Sequence, residues 1–201
     1  MLRHSRMQTL GSPAATFSLP DPSGGVHSLR DFDDAHALLV AFLCNHCPFV
    51  QHILDGFVEY ARDYESRGVA VVAISSNDIE SHPDDSPKHM AEVASKHRFT
   101  FPYLYDESQQ VALAFEAICT PDFFLYDRQR RLFYRGQFDG SRPYTEWDVK
   151  LGQKRNTVPV SGSDLRAATD ALLAGRKPPE EQRPSAGCSI KWKPENEPDW
   201  S

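Results

Sequence analysis

The residues whose types and spacing most directly specify chemistry are Cys44-Asn45-His46-Cys47, followed by Pro48. Two thiols at this spacing either close and reopen a disulfide or supply two of the four ligands that zinc usually takes. The flanking sequence favours the disulfide. Leu38 to Leu43 is continuously apolar, as a strand buried on both faces would be. Phe49, Val50, Ile53, Leu54, Phe57, Val58, Ala61 and Tyr64 then repeat with a helical period, and Gly68 is a stop signal. The pair therefore falls where a buried strand gives way to a long helix. Unpaired N–H groups and the positive end of the dipole favour a thiolate there, and Pro48 suits a helix start. On this reading Cys44 is the attacking thiol, nearer solvent and with a pKa below the free value of about 8.5, and Cys47 is the buried resolving thiol.

The elements that must position this pair follow from the same patterns. Thr16–Leu19 and Val26–Leu29, joined by Asp21-Pro22-Ser23-Gly24-Gly25, predict a β-hairpin. Val69–Ile74 predicts a second buried strand, so strand, helix and strand form a right-handed crossover with parallel pairing. A helix from Ser86 carries the stripe Met90, Val93, Ala94 and His97. Asp106 with Gln109 resembles a capping box for the stripe Val111, Ala114, Phe115 and Ile118. Phe123–Tyr126 and Leu132–Phe138 flank a turn, and a last helix starts at Ser163. This is an α/β chain, with a central mixed sheet flanked by helices. Residues 1–10 read as a loose N-terminus, residues 11–175 as one domain, and residues 176–201, with five prolines, as an extended C-terminal arm. In the arm, Cys188, Ile190 and Trp192 alternate with Ser189, Lys191 and Lys193, which predicts an edge strand docked by its apolar side.

Several stretches resemble the thioredoxin-fold superfamily, in its peroxiredoxin-like and TlpA-like redoxin (AhpC/TSA-type) branch. Leu10–Pro20 resembles that branch's opening, Phe42–Pro48 its active-site loop, and Cys119-Thr120-Pro121-Asp122-Phe123-Phe124-Leu125 its Thr–cis-Pro loop and following strand. Gly187–Trp192 resembles the tail of one group of bacterial redoxin-domain proteins. The resemblance implies a thioredoxin-like fold and a thiol–disulfide oxidoreductase. It gives Thr120 and Pro121 the task of packing beside the cysteines and presenting backbone groups to an incoming thiol substrate. It also implies a protein or small-molecule thiol or disulfide as substrate, a reducing thiol system as electron source, and neither an organic cofactor nor a resident metal. Three departures stand out. Leu38 occupies the position of the buried acid of thioredoxins, Leu43 that of the tryptophan before the first cysteine, and the Pro-x-x-x-Thr-x-x-Cys run of peroxiredoxins is missing. Arg135 and Arg142 are the candidates for the peroxiredoxin arginine.

Three further residues have two readings each. His46 either stabilises the Cys44 thiolate or is an exposed loop histidine. Cys119 is either a third active-site thiol or a small buried hydrophobe. Cys188 is either a mobile resolving cysteine or simple packing. Cys44 and Cys47 themselves retain two rival readings, a thiol peroxidase and a copper or zinc protein on the same fold. Composition narrows the partners. Hydrophobic residues make up 40% and charged residues 25%, so a packed core is expected. The formal net charge of −6, with no basic stripe, argues against nucleic acid. The longest apolar run, Ala37–Cys44, is too short to span a bilayer, and no apolar stretch follows the basic first residues, so a cytoplasmic protein is expected.

Overall fold

The computed structural model describes residues 2–199. The sheet is built around β4 (Ala37–Phe42), whose six residues are all buried. It pairs in parallel with β5 (Val69–Ser75) and antiparallel with β8 (Asp122–Tyr126). β6 (Tyr103–Tyr105) extends the sheet beyond β5 and β9 (Leu132–Gly136) extends it beyond β8, giving the order β6-β5-β4-β8-β9. The continuous apolar run of β4 has a cause in this placement. Leu39 and Ala41 face one apolar cluster, while Leu38, Val40 and Phe42 face the other.

The first cluster holds α1 (Pro48–Glu65), α2 (Pro87–His97) and α5 (Ser163–Leu173) against the sheet. α1 buries Val50, Ile53, Leu54, Phe57, Val58, Ala61 and Tyr64 as the period predicts, and also Tyr60, whose hydroxyl meets Thr169 at 2.7 Å. Each buried Val, Leu, Ile or Phe among them contributes roughly 1.5–3 kcal/mol. The second cluster lies under α3 (Gln110–Ala114) and the hairpin β2 (Ser18–Pro20) and β3 (Val26–Ser28).

Three places differ from the sequence reading. α3 is only five residues long, and it buries Val111 and Ala112 while Ala114 is exposed. No capping box forms there. The Asp106 carboxylate accepts the Ser76 hydroxyl and the Ala112 amide, whereas Gln109 turns to the arm, donating to the Lys191 carbonyl and accepting the Lys193 amide, each at 2.8 Å. The composition also gave no sign of α4 (Glu146–Lys150).

The third difference concerns the two ends of the chain. β1 (Leu2–His4), in the stretch expected to be loose, pairs antiparallel with β10 (Ala186–Ser189). β10 in turn pairs with β7 (Cys119–Thr120), Cys188 opposite Thr120 and Ser189 opposite Cys119. The arm therefore provides the middle strand of a second, three-stranded sheet rather than an edge. Ile190 is buried as the alternation predicts, and Trp192 packs against the second cluster. Beyond β10 the backbone is held by Asn77, whose side-chain carbonyl accepts the Lys191 amide at 2.8 Å.

Gly187 makes this crossing feasible. A Cβ there would lie 2.0 Å from the Thr120 carbonyl oxygen and 2.6 Å from its carbon, both backbone atoms that cannot swing aside. Gly187→Ala is expected to lift β10 off β7 and cost about 1–3 kcal/mol or more. Urea unfolding reads the cost, and hydrogen exchange at the Ile190 amide, bonded to the Ile118 carbonyl at 2.9 Å, reads the lifting.

Candidate functional site

β4 ends at Phe42, and residues 43–47 turn into α1 with Cys47 as its N-cap and Pro48 in its first turn. The turn is clamped on several sides. Tyr103 donates to the Asn45 side-chain oxygen at 3.1 Å, and Asn45 donates to the Asp84 carbonyl at 2.8 Å. Gln51, one turn into the helix, donates to the Asn45 carbonyl at 2.9 Å. The Thr120–Pro121 peptide is cis and lies against both cysteines. Cys44 Sγ is 3.2 Å from Thr120 Oγ1, and Cys47 Sγ is 3.2 Å from the Thr120 carbonyl oxygen. Cys44, Cys47, Thr120 and Pro121 thus come together, as expected.

Both cysteines are buried, Cys44 2% and Cys47 0% exposed, so Cys44 is the sulfur nearer solvent by a narrow margin. One expectation is corrected: Cys44 is not the more acidic thiol. It donates its proton to Cys47, lies buried, and feels the negative charge of Asp85, and these together push its pKa well above the ordinary value. Cys47 moves in the opposite direction. It receives the thiols of Cys188 and Cys44 and draws on the backbone amides of Val50 and Cys188, which together outweigh burial. The Val50 contact is too loose for a capping hydrogen bond, so its effect is that of a helix N-terminal amide near a negative sulfur. The Thr120 carbonyl favours an S–H on Cys47, but two thiol donors and two amides overrule one acceptor. The first negative charge of the cluster therefore rests on Cys47.

Cys188 is half-buried, and donating its thiol to Cys47 raises its own pKa. Cys119 is fully buried, which pushes its thiol well up, and its Sγ lies 3.9 Å from the Pro121 carbonyl oxygen. It behaves as the small hydrophobe of the plainer reading.

The sequence reading passed over Asp85. It sits at the end of a short 3-10 turn (Pro83–Asp85), with no exposed side-chain surface. Its carboxylate accepts the Asn45 amide at 2.7 Å, the His46 amide at 3.2 Å, His46 Nδ1 at 2.6 Å and Asn77 Nδ2 at 2.7 Å. His46 is therefore no free loop histidine. Its bond to Asp85 raises its pKa against the effect of burial, and its ring stacks on His82 at 4.8 Å. Burial works against the Asp85 charge, but the bonds from His46 and Asn77 more than offset it, so its pKa is lowered.

The two shifts give the pair a defined pH window. The Asp85 contribution is present above its ordinary value of 3.8 and is lost as pH falls through the lower folded value. The His46 contribution is complete below 6.5 and is lost as pH rises through the higher folded value. Asp85→Asn is expected to lower the pKa of both His46 and Cys44, read by NMR titration and by thiolate absorbance. It should also cost about 1.5–3 kcal/mol for each charged hydrogen bond lost, and should remove the alkaline-side decline in melting temperature that the wild-type pair produces.

One atom from each of Cys44, His46 and Asp85 lies within 4.8 Å of the others, so these three could hold a metal ion. His46 Nδ1 is already engaged by Asp85 in that cluster. Of the two arginine candidates, Arg135 is fully buried and bound to both carboxylate oxygens of Asp122. Arg142 donates to the Gln137 side chain and to the Asp139 and Ser141 carbonyls. Among the described residues, no helix is long and apolar enough to cross a membrane.

Residues 10–135 match the model of the AhpC/TSA family. No curated protein matches the chain. Among solved structures, an uncharacterized conserved protein from Geobacillus kaustophilus is 48% identical, with a TM-score of 0.89 over 96% of this chain and 97% of that one. A hypothetical protein from Sinorhizobium meliloti 1021 is 47% identical, with a TM-score of 0.88 over 95% and 98% of the two chains. A thiol:disulfide interchange protein of the thioredoxin family from Chlorobium tepidum TLS shares the fold at 16% identity, with a TM-score of 0.60 over 83% and 99%.

Proposed function

Because the chain belongs to the AhpC/TSA family and has the thioredoxin-like fold, we propose that it is a thiol–disulfide oxidoreductase whose exchanging pair is Cys44 and Cys47. The observation that carries this reading is the convergence of both sulfurs on Thr120 of the cis-proline loop, Cys44 Sγ 3.2 Å from its hydroxyl and Cys47 Sγ 3.2 Å from its carbonyl oxygen. Cys47 supplies the proton acceptor that Leu38 cannot. Cys188 and the Thr120 carbonyl cover Cys47, which leaves Cys44 as the sulfur that meets substrate. As Cys44 Sγ attacks a substrate disulfide, its proton passes to Cys47 and the first substrate sulfur leaves. Cys47 then passes that proton to the first substrate sulfur, which left as a thiolate, attacks Cys44 Sγ, closes the Cys44–Cys47 bond and releases the second substrate sulfur as a thiolate. Thr120 holds both sulfurs in place. Protein or small-molecule disulfides are the substrates, a separate thiol system returns the electrons, and no organic cofactor takes part.

Family membership favours one second reading, a thiol peroxidase in which Cys44 is oxidised to a sulfenic acid and Cys47 resolves it. The engagement of Arg135 by Asp122 argues against it. To test the proposal, the reduced full chain is mixed with glutathione disulfide or with hydrogen peroxide, then alkylated in acid and mapped. Release of glutathione with formation of a Cys44–Cys47 bond is expected. Peroxide consumption with glutathione disulfide untouched would overturn the reading in favour of the peroxidase. A metal retained by both thiols after reduction would overturn it in favour of metal binding.

A further inference from the structure

We propose that Cys188 is a third redox thiol, which takes over Cys47 from the Cys44–Cys47 disulfide and carries the oxidised equivalent to the surface as a Cys47–Cys188 bond. The inference rests on the exchange reading above and goes beyond it by assigning the route through which the buried pair is reduced.

Three observations lead to it. β10 lies directly on the cis-proline loop, Cys188 opposite Thr120, with Gly187 allowing the close passage. Cys188 packs against the apolar cluster that contains Cys44 and Cys47, and Cys47 Sγ lies 3.2 Å from the carbonyl oxygen of Thr120, the residue opposite Cys188. Of the three sulfurs in the cluster, Cys44 and Cys47 are buried while Cys188 is only half-buried. An external reductant therefore meets Cys188 first.

The step conserves atoms and electrons. The Cys188 sulfur attacks Cys47 Sγ of the Cys44–Cys47 disulfide, the Cys47–Cys44 bond breaks, and Cys44 leaves, taking the proton that Cys188 gives up. No net oxidation occurs, and Cys44 is restored as a thiol. An external dithiol then attacks Cys188 Sγ and Cys47 leaves. The second thiol of that reductant displaces Cys188 from the resulting mixed disulfide. The reduced state also restrains Cys188. The charge on Cys47 keeps Cys188 protonated, and that restraint disappears once Cys47 is tied up in a disulfide.

The test oxidises the full wild-type chain with one equivalent of diamide, quenches with acid and an alkylating agent, and maps the peptides. The expected result is a cross-link between the peptide carrying Cys44 and Cys47 and the peptide carrying Cys188, with the alkyl group on Cys44. Absence of that cross-link at every oxidant level, or a cross-link through Cys44, would overturn the proposal. Cys188→Ser is expected to slow steady-state turnover with dithiothreitol as reductant about tenfold. Unchanged turnover in a variant that melts like the wild type would also overturn it. If the variant does not fold, the wild-type map decides. The two readings fail separately, because the exchange reading falls if glutathione disulfide is not turned over, whatever the cross-link map shows.

Discussion

Cys44→Ser is expected to abolish disulfide exchange, while Cys47→Ser is expected to stop it at an observable intermediate. Without Cys44, the sulfur that meets substrate is gone, and turnover should fall about a thousandfold or more. Without Cys47, two effects follow from the same contact. The thiol–thiolate hydrogen bond that most strongly raises the Cys44 pKa disappears, so that pKa should fall. Attack then proceeds without resolution, and a mixed disulfide between Cys44 and glutathione should accumulate, visible as the mass of one added glutathione. Accumulation in Cys44→Ser with free turnover in Cys47→Ser would reverse the roles of the two sulfurs.

The largest effect on stability is expected at Arg135. Its guanidinium and the Asp122 carboxylate are both completely buried, joined through both carboxylate oxygens, and the guanidinium carbon lies 3.7 Å from the centre of the Phe124 ring. Ser5 adds a hydrogen bond to Asp122 at 2.7 Å. Arg135→Met leaves a buried carboxylate with only a hydroxyl partner, which should cost about 3–5 kcal/mol. Adding Asp122→Asn to that variant removes the uncompensated charge and should recover much of the loss. Urea unfolding of the three proteins checks both statements. Equal losses in the single and double variants would mean that packing around Phe124, not charge, sets the cost.

Those parts of the fold that bury a face on their own were legible in the sequence. β4 and β5 are continuous apolar runs because the sheet covers both faces, and α1 shows its period because one side alone meets the core. The closeness of Thr120 and Pro121 to the cysteines came from family resemblance, and geometry agrees. Asp85 left no trace, because it stands beside Asp84 in a short polar turn and only the folded chain brings one of the two beneath His46. The acidity of the cysteines was assigned to the wrong sulfur for a specific reason. Placing the pair at the helix start was sound, but Cys47, not Cys44, is the N-cap and lies nearest the first amides. β1 was hidden because three polar-flanked residues have no period of their own and pair only with a strand from the far end of the chain.

That pairing also fixes an order in time. β7, which bears Thr120, is synthesised long before β10, the strand that lies on it. While the chain is emerging, the sheet core and α1 can form from segments already made, since β4, α1 and β5 are neighbours in sequence. Cys47 at that stage lacks both the cover of β10 and the thiol of Cys188, which favours its negative charge. Closure of β10 between β1 and β7 brings together segments far apart along the sequence, which makes it a slow contact to form. The sulfur cluster is therefore complete only once the arm has docked between β1 and β7.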